Sequence, residues 1–412
     1  MLYFCLNTQY SKIKGRYKMF QRKQQAISRF QQIFGSLPAL GCSVPGRVEL
    51  CGNHTDHQHG CVIAAAIDLG MLAVARKTDD FFVSIHSEQS GSLQVDLRCL
   101  QPQTQEAGSS AGLVRGVAAW LAQAGIPIGG FQAYITSEIP IGSGLSSSAA
   151  FEVLIAALFN RFYAADTLSP QTLAFAAQHA ENVYFGKPSG MMDQLTCATG
   201  GICAIDFALE TQPQVRSLYF DCADYGYQLF IVNTHSSHAH LTDAYASIPR
   251  EMTSVAQALG KSHLRECDPA QFYANLPILR QELEDRPLLR AHHFFTENDR
   301  VHRMASIIDR GDFTAFLQLL RQSGASSFQY LQNVFLSSAP EHQALSLALA
   351  YSEHLLQGEG AVRVHGGGFA GTILAIVPNP LRERYALEMD TLFGKGSAIP
   401  LQFYPHGIYK EF

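Results

Sequence analysis

Apolar positions along the chain follow two periodicities. From 26 to 34 they recur at helical spacing and lead into Gly41-Cys42-Ser43-Val44-Pro45-Gly46, where the Pro-Gly pair predicts a turn. Continuous or alternating apolar runs at 61–67, 71–74, 81–86 and 93–97 predict strands. A helical pattern over 111–124 stops at Gly125, and 131–136 reads as a strand. A glycine- and serine-rich loop follows, then a strong helix-forming run over 151–158. A second helix, 170–184, precedes Gly186-Lys187-Pro188-Ser189-Gly190. Beyond it, 225–232 is a buried strand, several helices fill the stretch from 249 to 356, and strands at 361–364, 372–377 and 401–404 surround a helix at 381–393.

Strands and helices mixed in both halves predict an α+β protein of two domains. The boundary is expected near Gln212-Pro213, giving units 19–212 and 213–412 behind an N-terminal extension, 1–18. No internal repeat or low-complexity linker interrupts them. A length of 412 residues fits about two domains, and 47% hydrophobic against 16% charged residues can fill large cores. The net charge of −5 carries no nucleic-acid footprint. Lys12, Lys14, Arg16 and Lys18 lie in the extension, which lacks the apolar stretch of a signal peptide. No apolar run reaches the length of a membrane span. Nine scattered cysteines without a CxxC pair fit buried thiols better than a disulfide framework, so a soluble cytoplasmic protein is expected.

The densest candidate chemistry is Ile139-Pro140-Ile141-Gly142-Ser143-Gly144-Leu145-Ser146-Ser147-Ser148-Ala149-Ala150. A glycine-rich turn that feeds a helix presents unpaired N–H groups and the positive end of the helix dipole to an anion. Glycine allows close backbone approach, and serine hydroxyls reach phosphate oxygens or a metal that bridges them. The competing reading is a serine cap on an ordinary helix. The loop lacks the third glycine of a dinucleotide fingerprint and the Gly-Lys-Ser/Thr of a Walker A loop.

Three further clusters carry chemistry. In Arg47-Val48-Glu49-Leu50-Cys51-Gly52-Asn53-His54-Thr55-Asp56-His57-Gln58-His59-Gly60, the residues His54, Asp56, His57 and His59 suit a metal, sugar hydroxyls or a structural polar turn, and Arg47 suits a phosphoryl group. In Gly190-Met191-Met192-Asp193-Gln194, Asp193 reads as a helix N-cap or as a desolvated carboxylate facing a substrate hydroxyl. In Arg363-Val364-His365-Gly366-Gly367-Gly368-Phe369-Ala370-Gly371, consecutive glycines favour close approach to a ligand or a loop over a mobile connection.

The order and spacing of these clusters resemble the GHMP small-molecule kinases, and among them the galactokinase group. The likeness rests on Gly46 to Asp56, Pro140 to Ala150, Gly190 to Gln194 and Gly366 to Gly371. It is reinforced by Asn233-Thr234 through His238 to Tyr245, and by Arg290 to His293 with Thr296-Glu297-Asn298, and it runs from about Phe30 to Val377. It implies an N-terminal ribosomal-protein-S5-like domain and a C-terminal ferredoxin-like domain with the active site between them. It also implies ATP and Mg²⁺ as cofactors and a small sugar as partner, without nucleic acid or membrane. By the same resemblance, Asp193 and Arg47 are catalytic, and Asn53, His54, Asp56, Gly190 and Tyr245 bind the sugar. Gly142, Ser143, Gly144, Leu145, Ser146, Ser147 and Ser148 bind the nucleotide, and Ser148 with Glu181 holds the metal.

The chain departs from the family pattern at several positions. Asn53 stands where a glutamate facing the sugar's exocyclic C6 group is usual, and Glu49 where asparagine is usual. His57 replaces tyrosine, Ser189 a common cysteine, Ala370 a glycine, and Gly324 stands where histidine is common. The expected activity is phosphorylation of a hexose at its anomeric hydroxyl, with galactose as leading substrate. The alternatives are a galacturonate or amino-sugar kinase and a non-catalytic sugar and ATP sensor. Sensors of this kind have lost residues from the serine-alanine stretch, which is uninterrupted here.

Overall fold

The computed structural model describes residues 19–89, 91–140, 142–187, 189–209, 211–236 and 241–412. The extension 1–18 and the motif positions Ile141, Pro188 and His238 lie outside them.

The longest apolar stretch forms the centre of the first sheet. Strand β2 (Cys61–Lys77) is flanked by β1 (Leu40–Cys51) and by β5 (Phe131–Ser137), which leads to β3 (Phe82–Ser87) and β4 (Gly91–Asp96). The far end of β2 also pairs with β6 (Ile202–Asp206), which pairs with β7 (Gln214–Leu218). Only β3 and β5 run parallel, among the described strands. The final strand of the chain, β12 (Tyr409–Lys410), returns to pair with β1. The expected boundary at 212–213 therefore falls between two strands of one sheet, and the last residues rejoin that sheet.

Before β1 lies α1 (19–34), longer than the 26–34 run suggests. Helices α2 (Ser110–Gln123), α3 (Ser147–Tyr163), α4 (Pro170–His179) and α5 (Met192–Thr199) share the large core with the first sheet. The second sheet has the order β11-β8-β10-β9, from Ala398–Leu401, Tyr227–Asn233, Thr372–Pro378 and Ala361–His365. One face of it packs on α10 (Ala344–Leu356) and α11 (Arg382–Phe393). Leu229, Ile231, Leu374 and Ile376 on its other face join the large core. The remaining helices are α6 (Thr242–Ala258), α7 (Pro269–Glu282), α8 (Asp285–Asp309) and α9 (Phe313–Ser326).

Several local expectations are corrected. Pro45-Gly46 is no turn: β1 runs through it, and the ladder with β2 breaks between Pro45 and Arg47. The cause is close approach, because a Cβ on Gly46 would lie 2.7 Å from the Leu145 carbonyl oxygen. Freed from the ladder, the Arg47 N–H bonds that same oxygen at 3.3 Å. The two expected strands 61–67 and 71–74 are one strand, whose buried run is interrupted at Asp68-Leu69-Gly70. The strand expected at 401–404 is Ala398–Leu401, and the helix 170–184 is α4 followed by a wider π-turn, Ala180–Phe185.

Candidate active site

Arg47 and Asp193 form the centre. The Arg47 Nε and Nη2 donate to the two Asp193 carboxylate oxygens at 2.7 and 2.6 Å, a fork-to-fork pair, while Nη1 donates to the Gly144 carbonyl at 2.7 Å. One guanidinium thus ties β1, the glycine loop and α5 together. Met191, not Asp193, is the N-cap of α5, so the cap reading fails and Asp193 lies in the helix's first turn. Burial works to raise the Asp193 pKa, but the Arg47 charge and hydrogen bonds from Arg47 and Ser146 outweigh it and hold it below the usual carboxylate value.

The same contest decides the loop. Ser146 is the N-cap of α3, yet its side chain makes no cap bond; its hydroxyl donates to Asp193 instead. It does so from a left-handed conformation, φ +60°, uncommon for a residue with a Cβ. The serine cap therefore does not account for the loop, and the first N–H groups of α3 are not satisfied by that hydroxyl. Gly142 and Gly144 also have positive φ, and Ser143 closes the turn by donating to the Pro140 carbonyl at 2.7 Å. Leu145 is buried beneath the turn, and Ser147 and Ser148 open α3.

Glu181, carried by the π-turn, is buried and surrounded by donors. Ser148 Oγ reaches its Oε1 at 3.2 Å and Lys187 Nζ at 2.8 Å; Ser189 Oγ and Gln194 Nε2 reach Oε2 at 2.5 and 2.9 Å. Burial opposes the Lys187 charge, but Glu181 and Asp193 hold its pKa above the usual value. Gln194 also donates to Glu152 at 3.2 Å. Burial, and next the Glu181 charge, push the Glu152 carboxyl well above its usual value. The all-oxygen pair of Ser148 and Glu181 beside the loop suits a hard divalent cation.

The residues expected to bind the sugar come from both halves of the chain. Gly190 lies against Asp56: a Cβ there would be 1.8 Å from Asp56 Oδ2. Burial, and next the Asp193 charge, push Asp56 up to about 7. His54 Nε2 donates to the Gly367 carbonyl at 3.0 Å, and Tyr245 Oη donates to that of Gly368 at 3.0 Å. The loop between β9 and β10 is therefore packed against its neighbours, and a Cβ on Gly368 would clash with the Asn333 carbonyl oxygen. Asn53 is buried, and its amide faces protein partners on every side.

The metal reading of the histidine loop finds no support in this geometry. His54 bonds Gly367, the His57 ring lies 5.6 Å from that of His54, and His59 stacks on His263 at 3.8 Å. Among the described residues, the group of three ligand types close enough to share an ion is Cys61, Asp206 and His302. Arg265 already supplies a cation there, 3.2 Å from Cys61 and 2.8 Å from Asp206. Sequence reasoning assigned no role to Lys187, Gln194 or Arg363. Lys187 and Gln194 sit within flagged motifs and could have been found there. Arg363 pairs with Glu49 across 314 residues, which no local signal reveals.

Fold and site together define a GHMP-type small-molecule kinase. The profile of the GHMP kinases N terminal domain matches residues 112–201, and the galactokinase galactose-binding signature matches residues 28–77. The chain is 34% identical to a galactokinase of Streptomyces coelicolor over 85% of its own length and 87% of that protein. It is 32% identical to human galactokinase over 86% and 87%. The fold matches that of Lactococcus lactis galactokinase, solved with galactose, at a TM-score of 0.79 and 24% identity, covering 93% of this chain and 98% of that one. A mevalonate kinase of Methanococcus jannaschii shares it at 0.62 and 16%, over 88% and 98%. The chain belongs to the galactokinase family.

Proposed function

We propose that the protein transfers the γ-phosphoryl group of ATP to the anomeric hydroxyl of galactose, giving galactose 1-phosphate and ADP. The observation that carries this reading is the Arg47–Asp193 fork, held between the loop built for phosphates and the loop that gathers Asp56 and Gly190. In this reading Asp193, ionised beside Arg47, accepts a hydrogen bond from the anomeric hydroxyl and turns its oxygen toward phosphorus. Its lowered proton affinity makes it an orienting charge first; it takes the proton only as the oxygen–phosphorus bond forms and the bond to ADP breaks. Arg47 stabilises the charge on the transferring group, the main demand of a loose phosphoryl-transfer transition state. The N–H groups of the 142–148 loop cradle the phosphates.

Ser148 and Glu181 would hold Mg²⁺, whose chemistry is neutralisation of phosphate charge. His54, Asp56, Tyr245 and the Gly190 backbone would enclose the sugar, and a carboxylate spanning two hydroxyls selects their stereochemistry. The nucleotide loop and most of the sugar loop belong to the first unit, 19–212, which β7 and the last strand complete. The second unit, 213–412, supplies Tyr245 and the glycine loop to which Asn53 and His54 bond. The eight cysteines among the described residues are all free, which supports a reducing cytoplasm. The test is incubation with ATP and Mg²⁺ against galactose, other hexoses, amino sugars and galacturonate. ADP release with galactose is expected; no turnover of galactose would sink the reading.

A further inference from the structure

A buried polar chain, unused by the phosphoryl-transfer chemistry, ties the sugar loop to the second sheet. Arg363 on β9 donates through Nη2 to Glu49 Oε1 on β1 at 2.6 Å, with the two side chains 0% and 3% exposed. Glu49 Oε2 accepts from Asn53 Nδ2 at 3.1 Å, and the same amide nitrogen donates to the Gly366 carbonyl at 2.8 Å. The Asn53 carbonyl oxygen accepts from Asn333 Nδ2 at 2.8 Å and from Ser327 Oγ at 3.4 Å. An asparagine side chain has two donor protons and two acceptor lone pairs. All four are engaged by protein, on a residue that is 1% exposed. Nothing on it is left for a ligand.

The partners show what this commitment does. Gly366 and Gly367 receive side chains from the sugar loop and from Asn333, so the glycine loop is an acceptor platform for Asn53 and His54. The Glu49 N–H, in turn, donates to His365 at 3.1 Å. Glu49 fixes which way the Asn53 amide points, because a carboxylate accepts and never donates. Arg363 fixes Glu49.

We infer that Glu49, Asn53 and Arg363 are positioning residues that latch the sugar loop to the glycine loop, and that no side chain at 53 reads the exocyclic C6 group, so the enzyme accepts galacto-configured sugars altered at C6. The inference rests on the galactose reading above and on the place that the family likeness gives to residue 53. It departs from the expectation that Asn53 binds the sugar directly.

Two measurements test it. With wild-type protein and saturating MgATP, kcat/KM for 6-deoxygalactose is expected within about tenfold of that for galactose. A site built to hydrogen-bond a hydroxyl rejects the analogue lacking it by about 10⁴-fold or more. A loss beyond about a hundredfold would therefore overturn the inference. Second, Glu49→Leu with Arg363→Met replaces the buried pair by apolar side chains, an exchange such sites often tolerate. The double variant is expected to raise the KM for galactose at least about tenfold while kcat and the KM for ATP stay within about threefold, as lost uniform binding requires. Should it not fold, Asn53→Ala keeps the ion pair and carries the same expectation. An unchanged galactose KM in a folded variant, or equal losses toward both substrates, would overturn the latch. Failure of the wild type on galactose would instead overturn the galactose reading.

Discussion

On the proposed phosphate side of the site the side chains carry charge and come from neighbouring elements of one sheet and its helices. Arg47, Asp193, Glu181 and Lys187 are paired at 2.6 to 2.8 Å. On the proposed sugar side, Asn53, His54, Tyr245 and Asn333 each donate a hydrogen bond to a main-chain carbonyl of the glycine loop in the other sheet. The difference follows from the ligands. A triphosphate is gathered by charge and loses little to small errors of placement, since electrostatic attraction falls off slowly with distance. A sugar is recognised by directional hydrogen bonds, which weaken steeply with angle, so its loop has to be held from both sides.

Substitutions on the two sides should therefore separate cleanly in kinetics. The largest effect is expected for Asp193→Ala: kcat should fall by about 10³-fold or more. ATP affinity by calorimetry should stay largely intact, and near wild-type turnover would mean that the assigned carboxylate is wrong. Next comes Gly190→Ala, whose methyl group displaces Asp56. The KM for galactose is expected to rise by about a hundredfold at nearly constant kcat, a loss of binding rather than of chemistry; a fall in kcat alone would break the division. Glu181→Gln should raise the Mg²⁺ concentration for half-maximal rate by about tenfold. Galactose binding, followed by thermal shift without nucleotide, should not move.

Within one unit below neutrality, pH is expected to act no more strongly than Glu181→Gln does. Asp56 is raised to about 7 in the free enzyme, so its carboxylate is lost as pH falls below that value. The kcat/KM for galactose should then decline about tenfold per pH unit below 7, because that ratio reports groups of the free enzyme. With galactose saturating, kcat/KM for ATP should stay flat over the same window. For stability the sign is opposite. A carboxyl raised in the folded state binds its proton more tightly than in the unfolded chain, so its destabilising effect is relieved as pH falls from about 7 toward the ordinary aspartate value.

The same contrast explains what could be read from the chain. The loop from Gly142 to Ser148, Arg47 and Asp193 were legible because each sits in a short stretch with its own chemistry. Where two readings stood, cap or acid for Asp193 and cap or anion loop for Ser146, the structure removes the cap in both: Met191 takes the N-cap of α5, and the Ser146 hydroxyl donates to Asp193 instead of to its own helix. Strands β6 and β7 escaped notice because they are short, with five residues each. The departures at 49 and 53 looked like two separate losses. Their direct contact, and partners 280 and 314 residues away, make them parts of one arrangement.

The π-turn that carries Glu181 has a consequence for length rather than identity. Ser148 and Gln194 approach the carboxylate from other helices, but Lys187 and Ser189 reach it only after the chain has passed through Ala180–Phe185. Each residue of a helix advances the chain by about 100° around its axis. Removing one residue here would rewind the turn to ordinary α-helix and swing both donors to a different side of Glu181. Substitutions in this stretch leave that phase intact, whereas any insertion or deletion shifts it. Homologous chains that keep the chemistry are thus expected to differ here in letters and not in count.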